Sequence, residues 1–187
     1  MNNPPAETAD YLSGLQRVLA NAKKKKNDKV LFDAIVNAPF KNKAQATLLN
    51  LGIVVLLLVN PKEKTLDRVT LSDTELAKAT MDISIKPFHD IKIPLGYNSN
   101  LLILALKTGE PQLTNDWAHL FAPELNPQQA RLNQAKAGIG CSMIHPFTAR
   151  GGGALIFSFF SPPEFIKKEH RDFMTAYTTY VEKALAP

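Results

Sequence analysis

The chain has 187 residues, 45% of them apolar, which suits one domain with an element or two to spare and allows a real core. Its formal charge of +5 gathers near the start: residues 1–29 hold six basic side chains (Arg17, Lys23, Lys24, Lys25, Lys26 and Lys29) against Glu7, Asp10 and Asp28, and the rest is close to neutral. A single cysteine, Cys141, excludes an internal disulfide framework and a CxxC metal or redox centre, and the lack of a basic face with aromatic readers argues against a nucleic-acid partner.

Leu12, Leu15, Val18, Leu19 and Ala22 recur at three- and four-residue spacing and predict an amphipathic helix over 7–26. Val30, Leu31, Ala34, Ile35 and Ala38 predict a second helix, capped by the Asn27-Asp28 pair and stopped near Pro39. Residues 51–59 form a continuous, β-branched-rich apolar run, the pattern of a central strand covered on both faces. The polar turn at 60–64 leads into a partner strand over 65–71, giving a hairpin. Residues 72–75 (Ser-Asp-Thr-Glu) read as a capping box that opens a short helix toward Thr80. A short strand is expected at 91–94. Asn98-Ser99 then caps a helix through Leu101, Leu102, Leu104 and Ala105, which Gly109 ends.

Asn126-Pro127 opens another helix, ended at Gly138. Ile139, Cys141 and Met143 alternate with Gly140, Ser142 and Ile144 in a strand. The turn at 150–153 joins it to a buried strand over 154–160, so a second hairpin forms. Ser161-Pro162-Pro163 breaks that strand. Phe173, Met174, Tyr177, Tyr180, Val181 and Leu185 set an apolar stripe on a C-terminal helix. Two hairpins with helices at both ends of the chain predict the α+β class, built on an antiparallel sheet.

The opening residues lack a basic region followed by an apolar run, so no secretory leader is read. The longest apolar run is about half the length of a bilayer-spanning helix, so no membrane span is expected. A lone thiol fits a reducing compartment, and the expected location is cytoplasmic. The four lysines at 23–26 read as a solvated helix end, with an anionic partner as the other reading.

Three segments resemble the GAF family. LGIVVLLLVNPKEKTLDRVTL (51–71) resembles its first hairpin. LGYNSNLLILALKTGEPQLTNDW (95–117) resembles its middle stretch, where a helix ends in T-G-x-P and an acidic residue follows, here Asp116. GIGCSMIHPFTARGGGALIFSFFSPPEF (138–165) resembles its late hairpin. The resemblance covers about residues 29–187. It implies a GAF-like (profilin-like) central antiparallel sheet of about five to six strands. Terminal helices lie on one face, and helices and loops forming a pocket lie on the other. It implies a binding role without naming a ligand. Members that reduce methionine sulfoxide need several cysteines, and bilin-binding members hold a Cys often followed by His. Here Cys141 stands alone and precedes Ser142.

The candidate ligand-binding residues are Asn115, Trp117, His119, Asn133 and His145. In the loop at 115–119, Trp117 offers a stacking surface, Asn115 a polar handle and His119 a titratable group, the mixture that ligand pockets use. The other reading of Trp117 is a ring closing the edge of the core. Asn133, a poor interior helix residue, reads either as a bonding group or as an exposed amide. His145, at a strand end before Pro146, reads as a group aimed into the pocket or as a structural histidine. No metal-ligand spacing occurs, and no cofactor is identified. No catalytic residue is assigned. Cys141 sits in apolar alternation, Ser142 lacks a G-x-S-x-G context, and the 150–153 turn joins two strands instead of opening a phosphate-binding helix.

These readings converge on a non-catalytic sensory or regulatory module that binds an unidentified small molecule. Residues 1–28 form an N-terminal amphipathic helix and 29–187 the domain, with a homodimer expected through the terminal helices. The competing reading is a protein–protein interaction scaffold with a vestigial pocket.

Overall fold

The apolar run at 51–59 becomes the middle of the sheet. In the computed structural model, which describes residues 6–187, strand β1 (Leu51–Asn60) pairs antiparallel with β2 (Thr65–Leu71) on one side and with β6 (Gly153–Phe159) on the other. Strands β3 (Lys92–Pro94), β4 (Gln112–Thr114) and β5 (Cys141–Phe147) complete a six-stranded sheet in the order β3-β2-β1-β6-β5-β4. Every pairing is antiparallel. The two hairpins therefore lie side by side, and a continuous apolar strand is what a doubly covered position requires.

One face of the sheet carries Val54, Leu56, Met143, Leu155 and Phe157 under α1 (Ala6–Lys23), α2 (Asp28–Asn37) and α8 (Lys168–Leu185). The stripes of α1 and α8 are buried within the domain: Leu15 and Leu19 share this core with Phe173, Tyr177 and Val181. Buried tyrosine hydroxyls need acceptors. Tyr177 donates to the Ile35 carbonyl at 2.6 Å and Tyr11 to the Pro39 carbonyl at 2.7 Å, tying both helices to α2 and the turn after it. Lys23, at the start of the lysine cluster, donates to carbonyl oxygens of Lys183 and Ala186, a favourable position for a cation at the end of α8.

The opposite face carries Ile53, Val55, Leu57, Leu66, Ile93, Ile144 and Ile156 under four shorter helices. These are α4 (Glu75–Ile83), α5 (Leu101–Thr108), α6 (Ala118–Phe121) and α7 (Pro127–Lys136). The remaining helix, α3 (Lys43–Leu48), was not anticipated in the sequence.

Asn27 caps α2, Asn126 caps α7 ahead of Pro127, and Gly109 at φ 71° ends α5, all as the sequence implies. Two caps lie elsewhere. Thr74 caps α4, because Ser72 is turned into the sheet and accepts a bond from the Val54 amide at 3.2 Å. Asn100, not the Asn98-Ser99 pair, caps α5, and its carboxamide also donates to the Leu120 and Ala122 carbonyls at 2.7 and 2.8 Å. No helix among the described residues is long and apolar enough to cross a membrane.

Candidate functional site

Between the second face and its helices lies a cavity of about 40 Å³. Its floor is Ile53 and Val55 of β1, Arg68 and Leu71 of β2, and Ile156 and Ser158 of β6. Its roof is Thr80 and Met81 of α4, Ser84 and Phe88 beyond it, Trp117 and Phe121 around α6, and Leu125 and Asn133 at α7. A space of that size admits a few waters at most, so the roof sits close to the floor.

The position of Trp117 follows from a set of local bonds. Its amide donates to Gln134 Oε1 at 2.8 Å, while Gln134 Nε2 donates to the Asn115 carbonyl at 2.9 Å. Asp116 accepts from Arg131 Nε and Nη2 at 2.9 and 2.7 Å and from the Ala118 amide at 2.9 Å. Helix α7 thus holds the 115–118 turn in one conformation. The indole drops inward, meets Phe121 edge-to-face at 5.5 Å, and donates from Nε1 to Ser142 Oγ at 2.9 Å. Ser142 in turn lies 2.8 Å from Ser158 on the cavity floor, so a short hydroxyl chain backs the ring.

Arg68 is the one ionisable residue among those lining the cavity. It follows Leu66 by two positions and so shares that residue's face of the sheet, on which Leu66 is fully buried. Although the residue as a whole keeps some accessible surface, its Nε is shut off from solvent and has no hydrogen-bond partner. Its guanidinium packs over the Phe88 ring at 4.0 Å and near the Phe121 ring at 5.1 Å. Among the described residues no carboxylate pairs with it. Desolvation pushes its pKa down to about 9, so it remains a cation at neutral pH.

Of the five residues singled out in the sequence, the structure brings Trp117 and Asn133 together at the cavity, both buried. Asn115 and His119 are exposed on the outer side of the turn, with His119 Nδ1 3.3 Å from Thr114 Oγ1. The turn carries both away from the cavity, whose lining includes neither. His145 needs the larger correction. It shares the parity of Met143 and Phe147 and lies on the other face of the sheet, edge-on to Phe157 at 5.8 Å under the terminal helices. It is buried and its Nε2 has no partner. Cys141 lies on that face too, its thiol pushed up to about 11 by burial.

Sequence reasoning missed Arg68, Phe88, Phe121 and Ser158. The even spacing of Arg68 from Leu66 puts the two on one face of β2, but the cover over that face was not readable from the strand itself. No cluster of three or more potential metal-ligating side chains occurs among the described residues.

No family model matches the sequence, and no curated protein does. Solved structures match its fold over nearly the whole length. The GAF domain of an Acinetobacter phosphoenolpyruvate-protein phosphotransferase aligns with TM-score 0.62 and 11% identity, covering 97% of this chain and 94% of that one. A free methionine-R-sulfoxide reductase from Neisseria meningitidis, solved with its substrate, aligns with TM-score 0.61 and 12% identity over 99% and 93%. A putative GAF sensor protein from Burkholderia vietnamiensis aligns with TM-score 0.59 and 14% identity over 98% and 92%. The sheet order, the helices on both faces and these alignments agree that the chain has the GAF fold.

Proposed function

We propose that this chain is a sensory or regulatory GAF module without catalysis of its own, and that the cavity between the sheet and α4, α6 and α7 holds a small molecule. One observation carries the reading. Arg68 lines a mostly apolar cavity with its buried Nε unpartnered, and the Asn133 carboxamide stands beside it in the same lining. Buried polar groups are nearly always satisfied, so an unpartnered guanidinium nitrogen in a cavity calls for a missing partner. Apolar and aromatic walls with a few convergent polar groups are the make-up of a ligand site.

The non-catalytic part rests on what lines the cavity. The lone thiol lies on the far side of the sheet, and neither Ser142 nor Ser158 has a histidine or carboxylate as a hydrogen-bond partner. A cytoplasmic location belongs to the same proposal. A homodimer through the terminal helices would use their outer faces, since the apolar stripes are buried within the domain. Light scattering in solution separates monomer from dimer.

A second reading is favoured by the cavity's volume. At about 40 Å³ it is too small for an organic ligand as it stands, which suits an interaction scaffold with a vestigial pocket. Native mass spectrometry of the purified protein decides between them. A retained small molecule, released on unfolding, supports the sensor. Protein of bare mass that also shows no thermal stabilisation across a panel of small organic acids, amides and nucleosides supports the scaffold.

A further inference from the structure

We propose that the cavity selects a small organic monocarboxylate, held by Arg68 at one end and by the aromatic wall at the other. This deepens the sensory reading and rests on it. The first argument is charge balance. One guanidinium without a carboxylate partner leaves a single positive charge inside apolar walls, and none of the residues lining the cavity is acidic. A buried charge is tolerated when paired, so one anionic charge completes the site, whereas a dianion would leave an excess negative charge in the same desolvated space. The second argument is shape. The planar guanidinium fork matches the two oxygens of a carboxylate. The third is the body of the ligand. Ile53, Val55, Ile156, Trp117 and Phe121 offer apolar contact, and the Asn133 carboxamide offers one further polar contact.

Access is also legible. Leu71, Met81 and Phe88 line both this cavity and an outer cleft of about 610 Å³ beside Phe32, Val69 and His89. These three side chains are the partition between the two spaces. Phe88 lies over the guanidinium and lines both spaces. Its displacement joins the spaces and gives the volume that the closed cavity lacks.

The test compares benzoate with its neutral isostere benzamide and with inorganic phosphate, by calorimetric titration of the wild-type protein and of Arg68→Met and Arg68→Lys. Benzoate is expected to bind, benzamide to bind about 10–100-fold more weakly, and phosphate not to bind. Arg68→Met is expected to bring benzoate down to the benzamide level, with Arg68→Lys between. The wild-type comparison of the three compounds stands even if neither variant folds. Equal affinity for benzoate and benzamide, or benzoate binding that Arg68→Met leaves unchanged, overturns the carboxylate assignment and leaves the pocket reading intact. Stronger binding of phosphate than of benzoate also overturns it. No binding of any of the three overturns the carboxylate assignment, and a retained small molecule in the native mass still separates that failure from failure of the pocket reading.

Discussion

The Arg68 guanidinium lies 4.0 Å above the centre of the Phe88 ring, and this contact joins the sheet to the segment that roofs the cavity. The two partners contribute unequally to stability. A cation over an aromatic face is worth about 0.5–2 kcal/mol. Removing a guanidinium from water without a carboxylate costs several kcal/mol. The desolvation cost exceeds the ring contacts. We therefore predict that Arg68→Met stabilises the ligand-free protein by about 1–3 kcal/mol in urea unfolding at neutral pH. A destabilised variant would show that the guanidinium serves chiefly to clamp Phe88 and Phe121.

Trp117 is the chain's only tryptophan and is buried with its Nε1 bonded to Ser142. Removing the acceptor leaves a buried donor unpaired, at about 1–3 kcal/mol. Ser142→Ala is expected to lower stability by that amount and to change the indole emission of the folded protein. Ser158→Ala leaves the indole bond intact and is expected to cost less. Equal effects of the two variants would place the weight of the hydroxyl chain elsewhere.

Asn100 is fully buried and makes three bonds at once, accepting from the Leu102 amide and donating to the Leu120 and Ala122 carbonyls. Its carboxamide therefore couples the start of α5 to the end of α6. Asn100→Ala is expected to cost about 3 kcal/mol, a fall in melting temperature of about 6–12 °C at this chain length. Asn100→Asp keeps the cap and loses both donors, so it too is expected to be destabilising. A melting temperature within a degree of wild type for either variant would contradict the coupling.

Burial, with a smaller contribution from the Arg171 charge, pushes the His145 imidazole down to about 4 from its usual 6.5. The native protein therefore binds this proton less readily than the unfolded chain does. Its effect on stability is absent above about pH 6.5 and grows as the pH falls toward 4, reaching about 3 kcal/mol. We predict that His145→Leu flattens this part of the pH profile while other groups keep their own. Urea midpoints at pH 7.5, 5.5 and 4.5 read it directly. Parallel wild-type and variant profiles would exonerate the ring.

The sheet was legible because its central strands are uniformly apolar and its turns carry Asn, Pro and Gly where the backbone needs them. Residues 51–59 cannot be placed anywhere except between two covered faces. The site was only half legible. Trp117 and Asn133 stand out by residue type, and both reach the cavity. Which way a residue faces depends on register, and that is where the sequence reading failed. His145 follows the parity of Met143 onto the terminal-helix face. Asn115 and His119 are carried outward by the turn that α7 pins. Arg68 looks like an ordinary charge in a solvated strand until the cover formed by Met81 and Phe88 is known. That cover is the end of α4, just past the helix expected toward Thr80, and the short turn at Phe88 beyond it.

The most direct test is a crystal structure of the protein soaked with benzoate. The account predicts density between Trp117, Phe121 and a displaced Phe88, with both carboxylate oxygens about 3 Å from the Arg68 guanidinium nitrogens. Benzoate bound elsewhere, or Arg68 turned out to solvent over a cavity closed by protein, would contradict it.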